Sequence, residues 1–375
     1  MPPVSIMIKP ASGLCNMKCD YCFYCDEMHK RTQDSYGIMT KETLKNVIRK
    51  SVLGAEGFCT IAFQGGEPTL AGIGFFEEAV QLAQHYNKNK IRIEYALQTN
   101  GYALTEKWCR FFKQHHFLVG LSVDGTKSIH DRYRRSKDGM PTYERILHSA
   151  ELLLEYQIDF NILTVIHKET AKEIKTIYKE YKKRNWNYLQ FITCLDPLEQ
   201  VRGKEVYSLT PEAYGQFLID LFELWHQDYQ GGEQPYIRQF ENYISILLGY
   251  PPESCEQRGV CGIQNVIEAD GSMYPCDFYV LDQYCLGNMN CHSMKEIEDK
   301  RKKSGFMERS FFHAEKCREC KWFSLCRGGC FRSRIETGQD REGINYFCRS
   351  YQMFFETCFE RLRQVAVEIY EAGNK

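Results

Sequence analysis

The chain has 375 residues, 43% of them hydrophobic, which is enough for a sizeable core and for more than one domain. Lys and Arg number 48 against 49 Asp and Glu, and this balance excludes a global field that would attract nucleic acid or an anionic membrane. No stretch approaches the roughly 18 apolar residues of a membrane span, and the first residues lack a basic, apolar leader. We expect a cytoplasmic protein without nucleic-acid or membrane partners.

Short β-rich runs alternate with longer amphipathic segments in the first half of the chain. The runs predict strands at 5–9, 59–63, 91–98, 118–122, 159–165 and 188–192. The segments between them predict helices at 41–53, 74–86, 106–115, 143–156 and 169–184. This alternation is typical of βα units with a parallel sheet, and it predicts an α/β fold with a partial (β/α)6 barrel. Loops after the strands of such a barrel carry the chemistry.

The second half of the chain predicts a different organisation. Thr210 as N-cap and Pro211 at the first helical position indicate a helix over 210–229. A cysteine-rich region with short strands and turns follows, and residues 351–372 are typical of a closing helix. We therefore predict a barrel over 1–230, a connecting helix or linker over 231–252, a cysteine-rich domain over 253–350 and a C-terminal helix over 351–375.

Three cysteines near the N-terminus, Cys15, Cys19 and Cys22, have the spacing Cys-x3-Cys-x2-Cys. The chain has 18 cysteines, which in a reducing compartment indicate metal or redox sites rather than disulfides. Three thiolates on one loop hold three irons of a [4Fe-4S] cube and leave the fourth iron open to a substrate or cofactor. The alternative is a zinc loop, for which Cys25 would supply the fourth ligand.

Ten further cysteines lie between residues 255 and 348, and eight of them, all except Cys285 and Cys291, form a second group of candidate ligands. They divide evenly into two sets of four, and four thiolates ligate a cube fully. Spacing alone does not show which cysteines belong together. A zinc ribbon is the alternative interpretation for Cys317-x2-Cys320 with a later pair.

The cysteine loop and Gly65-Gly66-Glu67-Pro68, which follows the second strand, resemble the radical S-adenosylmethionine (SAM) superfamily. The cysteine-rich region resembles the SPASM auxiliary-cluster domain of radical SAM maturases. Segments 8–12, 63–72, 190–198 and 270–282 look like the anaerobic sulfatase-maturating enzymes, and this resemblance covers almost the whole chain.

The resemblance implies three [4Fe-4S] clusters and S-adenosyl-L-methionine as cofactors. It places the first cluster on Cys15, Cys19 and Cys22. It assigns the other ligands to two auxiliary clusters, one on Cys255, Cys261, Cys276 and Cys330 and one on Cys317, Cys320, Cys326 and Cys348. The SAM contacts that it implies are Tyr21, Gly65, Gly66, Glu67, Ser122, Arg134 and the main chain of Leu195. Arg134 is suited to a carboxylate because its guanidinium binds in a planar fork.

The reaction implied by the resemblance is the oxidation of a Cys or Ser side chain in a sulfatase to Cα-formylglycine. A hydrogen atom leaves the substrate Cβ, Asp277 acts as general base, and an auxiliary cluster receives an electron. The expected partners are a sulfatase with a Cys/Ser-x-Pro/Ala-x-Arg motif and an external electron donor. The alternatives are a radical SAM maturase that cross-links another ribosomal peptide and a zinc-stabilised binding module. The choice between Cys and Ser and the role of Cys25 stay open.

Overall fold

The computed structural model describes residues 3–334 and 343–373. Its strands are β1 (Val4–Ile8), β2 (Met17–Cys19), β3 (Phe58–Phe63), β4 (Arg92–Thr99), β5 (Phe117–Ser122), β6 (Arg134–Ser136), β7 (Phe160–Ile166), β8 (Tyr188–Thr193), β9 (Tyr236–Ile237), β10 (Val266–Ile267), β11 (Ser272–Tyr274) and β12 (Gly287–Asn288). Its helices are α1 (Phe23–His29), α2 (Lys41–Leu53), α3 (Ile73–Tyr86), α4 (Glu106–His115), α5 (Lys127–Tyr133), α6 (Tyr143–Glu155), α7 (Lys168–Lys172), α8 (Ile174–Lys183), α9 (Pro211–Gly231), α10 (Arg238–Leu247), α11 (Cys255–Arg258), α12 (Met294–Ser304), α13 (Phe306–Arg309), α14 (Glu315–Arg318), α15 (Phe323–Cys326) and α16 (Cys348–Gly373).

The six predicted strands are all present, as β1, β3, β4, β5, β7 and β8. The predicted helices between them are present too, with one difference. The helix predicted over 169–184 is split into α7 and α8 at Glu173, whose ψ of 17° departs from helical geometry. The short pieces α1, β2 and β6 had no periodic signal, because three to seven residues are too few to show a period.

The described residues form two units, and both are discontinuous in the chain. The first contains the described residues of Met1–Val123, His130–Asn161 and Ile263–Phe306. The second contains those of Asp124–Ile129, Ile162–Gly262 and Met307–Lys375. Residues 335–342 of the predicted cysteine-rich domain and residues 374–375 of the predicted C-terminal helix lie outside the described residues.

A sheet of seven strands organises the first unit, in the order β12-β11-β10-β1-β3-β4-β5. Strands β1, β3, β4 and β5 are parallel neighbours. On its other edge β1 pairs in parallel with β10, where Met7 is opposite Val266, and β11 and β12 continue the sheet antiparallel. This pairing brings the segment after β11, which contains Cys276 and Asp277, into the unit that holds the N-terminal cysteine loop.

Parallel pairing joins β7, β8 and β9 in the second unit. The predicted N-cap of α9 is confirmed, since Thr210 Oγ1 accepts a hydrogen bond from Ala213 N at 3.3 Å and Pro211 begins the helix. Helix α16 packs against α9, and the rings of Phe222 and Phe354 lie 5.7 Å apart in the buried core. In the part of the chain that the structure describes, no helix has both the length and the apolar composition of a membrane span.

Candidate active site

The N-terminal cysteine loop is held by a two-stranded ladder. Strand β2 pairs antiparallel with β6, and Cys19 lies opposite Arg134. The buried Arg134 donates from Nη1 to the hydroxyl of Tyr21 at 3.1 Å. The ladder therefore places two predicted SAM contacts, Tyr21 and Arg134, beside the cysteine loop, although they are far apart in the sequence.

The loop thiols have unequal acidity. The Cys25 thiol donates a hydrogen bond to Cys22 and lowers its pKa to about 6, against the opposing effect of burial. Burial raises the pKa of Cys15 to about 11, although Met17 N donates to its sulfur at 3.4 Å. Thiolates are the form that ligates metal, and the hydrogen bond from Cys25 favours that form at Cys22, whereas burial opposes it at Cys15. Cys25 therefore donates a hydrogen bond to a predicted cluster ligand from an exposed position.

Gly65 and Gly66 allow the loop after β3 to lie directly on the cysteine loop. Gly66 N donates to Ser12 O at 2.9 Å, and Glu67 N donates to Leu14 O at 2.7 Å. A Cβ added at Gly65 would lie 2.8 Å from Ser12 O, and one added at Gly66 would overlap Leu14 O. Gly65 also has a φ of 113°, which other residues rarely adopt. The two glycines thus allow two loops of the site to contact each other, and their contact with SAM stays a prediction.

The carboxylate of Glu67 connects this loop to the end of β4. Its Oε1 accepts hydrogen bonds from Thr69 N and from the hydroxyls of Thr69 and Thr99, at 2.6 to 3.0 Å. Its Oε2 accepts from Asn100 N at 2.8 Å. Burial raises the pKa of Glu67, and these hydrogen bonds oppose that shift. The carboxylate of Glu67 is therefore engaged inside the protein, and the contact of Glu67 with SAM stays a prediction.

The two remaining predicted SAM contacts lie at strand ends. Ser122 is the half-buried last residue of β5 in the first unit. Leu195 follows β8 in the second unit. Both lie after strands of the parallel sheets, where βα loops carry functional groups. Their contact with SAM stays a prediction.

Asp277 is buried in a 3-10 turn that follows β11. Its Oδ2 accepts hydrogen bonds from the Tyr24 hydroxyl at 2.6 Å and from Gln64 Nε2 at 3.0 Å. Among the described residues, its Oδ1 has no hydrogen-bond partner. Burial raises the pKa of Asp277, and the charge of Lys9 and the Tyr24 hydroxyl oppose this shift. One oxygen is thus fixed by the protein, and the other is an acceptor without a donor.

A buried layer of charge in the same unit was not predicted from the sequence. Lys9 Nζ lies 3.5 Å from Glu268 Oε2 and 4.8 Å from the centre of the Tyr24 ring. Arg31 Nη1 donates to the same Glu268 oxygen at 2.6 Å. Lys9 lies at the end of a strand-forming segment, and Arg31 lies after a short helix-forming one. Exposed charged residues occupy the same kind of position, so no local sequence pattern distinguishes these two from surface residues. The layer supplies positive charge near Asp277 and orients the ring that bonds to it.

Four distal cysteines of the second unit, Cys317, Cys320, Cys326 and Cys348, influence one another electrostatically. The pKa of Cys326 is raised to about 11, chiefly by burial and in smaller part by Cys320, Cys348 and Cys317. The pKa of Cys348 is also raised, chiefly by burial and in smaller part by Cys317 and Cys320. Like charges raise one another's pKa only at short range, so the four predicted ligands of one cluster are neighbours.

Three other predicted ligands, Cys255, Cys261 and Cys330, are neighbours in the second unit. The pKa of Cys330 is raised to about 12, chiefly by burial and in smaller part by Glu256, Cys255 and Cys261. Cys276 belongs to the first unit, directly after β11, and its grouping with these three stays a prediction. Over the described ranges, no three His, Cys, Asp or Glu side chains converge on the place of a single metal ion. A four-iron cube, by contrast, takes one ligand at each iron.

The donor set of the site fits iron–sulfur clusters. Thiols are the ligands that such clusters take, and each predicted group consists of cysteines alone. The N-terminal loop presents three of them beside the loop after β3, where Gly65 and Gly66 leave no room for side chains. When bound, cluster and SAM together supply a hydrogen-abstracting radical, which is chemistry that amino-acid side chains do not provide.

Comparison with known families defines the class of protein. Residues 10–181 match the model of the radical SAM superfamily, and residues 259–321 match the SPASM iron–sulfur cluster-binding domain. The chain is therefore a radical SAM enzyme with a SPASM domain, and its cofactors are SAM and iron–sulfur clusters. The predicted α/β fold of the radical SAM type is confirmed.

Relatives narrow this class to one family. A cysteine-type anaerobic sulfatase-maturating enzyme of Clostridium perfringens is 44% identical over 369 residues, covering 98% of this chain and 100% of its own. A serine-type enzyme of Bacteroides thetaiotaomicron is 28% identical over 372 residues, covering 94% and 89%. The solved structure of native anSMEcpe with bound AdoMet and Kp18Cys peptide aligns with a TM-score of 0.93 at 44% identity, covering 98% of this chain and 100% of that one. The chain belongs to the anaerobic sulfatase-maturating enzymes.

Proposed function

We propose that this enzyme oxidises a cysteine side chain of a sulfatase to Cα-formylglycine. Membership of the family supports the reaction, and the identity of 44% with a cysteine-type enzyme against 28% with a serine-type enzyme supports cysteine as the substrate residue. The binding-module alternative is set aside because the chain belongs to an enzyme family. The observation that carries the proposal is the geometry of Asp277, which has one anchored and one unpartnered carboxylate oxygen among the described residues.

Asp277 is proposed as the general base. Tyr24 and Gln64 both donate to Oδ2, so they fix the plane of the carboxylate and leave Oδ1 as the acceptor for a substrate proton. A general base must lie within hydrogen-bond reach of the proton that it takes. Burial excludes water from this oxygen, and the positive charge of Lys9 opposes the cost of keeping the buried carboxylate ionised.

The atoms and electrons of the substrate balance in this scheme. With its cofactors bound, the enzyme has one group that removes a hydrogen atom from the substrate Cβ and another that accepts one electron. Asp277 takes the thiol proton, which leaves a thioaldehyde on the substrate. Water then converts the thioaldehyde to the aldehyde and releases hydrogen sulfide.

The finer partners belong to the same proposal. We propose a sulfatase segment with the motif Cys-x-Pro/Ala-x-Arg as substrate and an external electron donor for the first cluster. We also propose a cytoplasmic location, because a chain with 18 cysteines, eleven of them assigned to clusters, needs its thiols kept reduced. Thiols persist in this state in a reducing compartment.

The test is an anaerobic assay of reconstituted enzyme with SAM, a reductant and one of two peptides, which differ only in Cys or Ser at the target position. Mass spectrometry should find the aldehyde on the Cys peptide at a higher rate. A cross-linked peptide in place of the aldehyde would favour the alternative of another ribosomal-peptide maturase. Formation of 5'-deoxyadenosine without an aldehyde on either peptide would contradict the proposal.

Asp277→Asn tests the base, and Asp282→Asn is the matched control. Asp282 lies five residues further along at an exposed position and accepts hydrogen bonds from Thr32. General-base catalysis contributes about 10²- to 10⁴-fold to a rate, so Asp277→Asn should lower the rate of aldehyde formation by at least about 100-fold. Iron content should be unchanged in both variants. An Asp277→Asn enzyme with the activity of the Asp282→Asn control would remove Asp277 as the base.

A further inference from the structure

Asn100 lies immediately after β4 and reaches the sulfur of a predicted cluster ligand. Its Nδ2 lies 3.5 Å from Cys15 Sγ, which is within hydrogen-bond distance for a sulfur acceptor. The same Nδ2 donates to Asn16 Oδ1 at 2.8 Å. Both hydrogens of the amide are therefore directed at the cysteine loop.

The orientation of this amide is determined by its neighbours. Asn100 Oδ1 accepts a hydrogen bond from Tyr102 N at 2.8 Å. A main-chain N–H only donates, so the oxygen of the Asn100 amide must face Tyr102 and the nitrogen must face Cys15. The main chain of Asn100 is held as well, because its N–H donates to the buried carboxylate of Glu67. Asn100 is 7% exposed, so water does not compete strongly for its side-chain hydrogens.

We propose that Asn100 is a positioning residue that raises the reduction potential of the first cluster by donating a hydrogen bond to Cys15 Sγ. Reduction adds negative charge to the cluster and its sulfurs, and a donor to a ligating sulfur stabilises the more negative state. The inference rests on the proposed assignment of Cys15, Cys19 and Cys22 to this cluster. It gives Glu67 a second role, since Glu67 holds the main chain from which Asn100 reaches the sulfur.

The experiment is a redox titration of the holoenzyme monitored by electron paramagnetic resonance. The first cluster is identified by the change of its signal when SAM is added, because its open iron binds the cofactor. Asn100→Ala removes the donor, and Asn100→Asp keeps an acceptor for Tyr102 N while it replaces the donor with negative charge. We expect the ratio of reduced to oxidised first cluster at a fixed potential to fall by up to about tenfold in Asn100→Ala, or about 59 mV for one electron. It should fall further in Asn100→Asp.

Asn87→Ala is the matched control. Like Asn100, Asn87 has a side-chain amide that both donates and accepts, here to Ile91 O and from Ile91 N, away from the cysteine loop. This variant should keep the wild-type potential. The auxiliary clusters should also keep their potentials in all three variants, which separates a local hydrogen bond from a general disturbance of the protein.

Wild-type enzyme with ¹⁵N only in its asparagine side chains provides a second measurement that needs no substitution. A ¹⁵N coupling to the reduced first cluster is expected across the hydrogen bond from Asn100. The coupling is assigned to Asn100 because Asn16, the neighbouring asparagine, presents its side-chain oxygen to Asn100. Unchanged potentials in both Asn100 variants, or absence of this coupling, would overturn the inference. Absence of a SAM-responsive signal in wild-type enzyme would instead overturn the assignment of the first cluster.

Discussion

Buried charge is the feature of single residues that distinguishes this site. Glu268 is fully buried and contacts both Lys9 and Arg31, and Lys9 in turn lies over the Tyr24 ring. Burial alone would raise the pKa of Glu268, but the two cations outweigh it and the pKa lies below the ordinary value of 4.5. The Glu268 carboxylate therefore stabilises both cations, of which Lys9 acts electrostatically on the residue proposed as base.

Glu268→Gln should lower the stability of the protein substantially. Removing one member of a buried ion pair leaves an uncompensated charge, which costs about 3–5 kcal/mol of unfolding free energy. The loss should appear as a lower midpoint of anaerobic thermal unfolding at pH 7. The control is Glu94→Gln, which breaks the exposed pair with Arg92 and should cost about 1 kcal/mol or less. Equal losses in the two variants would contradict the role of burial.

The pH dependence of this difference follows from the direction of the shift. A carboxyl whose folded-state pKa is lowered stabilises the protein above its unfolded pKa, and this contribution is lost as pH falls through the folded-state value. The gap in stability between wild type and Glu268→Gln should thus be full at pH 7 and decrease below about pH 4.5. A gap that stayed constant under acid would exclude ionised Glu268 as its source.

At the scale of elements, the site depends on loops that follow strands and contact one another. The loop after β1 carries the cysteines, and the loop after β3 donates two main-chain hydrogen bonds to it. The end of β4 joins them through Glu67 and Asn100. Regular strand pairing sets the spacing of these loops, and the glycines remove the side chains that would separate them.

Gly66→Ala should separate the two loops. Its Cβ would overlap the Leu14 carbonyl oxygen, and such overpacking costs about 1–3 kcal/mol. We expect lower iron content and weaker SAM binding, measured by iron analysis and by equilibrium dialysis. The control is Gly74→Ala in the first turn of α3, where an added Cβ meets no atom within 4 Å. If Gly66→Ala bound iron and SAM as Gly74→Ala does, close contact of the loops would not be required.

In the whole molecule, segments that follow one another in the chain belong to different units. Residues Ile263–Phe306 lie within the predicted cysteine-rich domain of the sequence but belong to the first unit, because β10 pairs with β1. Cys276 and Asp277 consequently belong to the unit of the N-terminal loop. The predicted ligands Cys317, Cys320, Cys326 and Cys348 all remain in the second unit.

Iron content provides a test of the distal ligands. Holoenzyme with three cubes should contain about twelve irons, and Cys348→Ala should reduce this to about eight while the SAM-responsive cluster remains. Cys358→Ala is the control, since Cys358 lies on the same helix α16 but is buried in the core. Iron loss in Cys358→Ala equal to that in Cys348→Ala would contradict a ligand role for Cys348.

The sequence by itself determined the six strands and most of the helices between them, and its resemblance to a known family indicated the radical SAM class. Period and length specify these elements locally, and cysteine spacing within one loop is set by the chain itself. Asp277 was named from resemblance to the family, since no physical property of an isolated carboxylate distinguishes it.

The tertiary structure alone decided which distant groups meet. Tyr24, Gln64 and Asp277 are separated by up to 253 positions in the chain and share one hydrogen-bonded cluster. The Asn100 contact with Cys15 and the pairing of β1 with β10 are of the same kind. Such contacts form because parallel strand pairing and burial bring together segments that have no local relation, and the same burial that shifts the pKa values of these groups exists only in the folded chain.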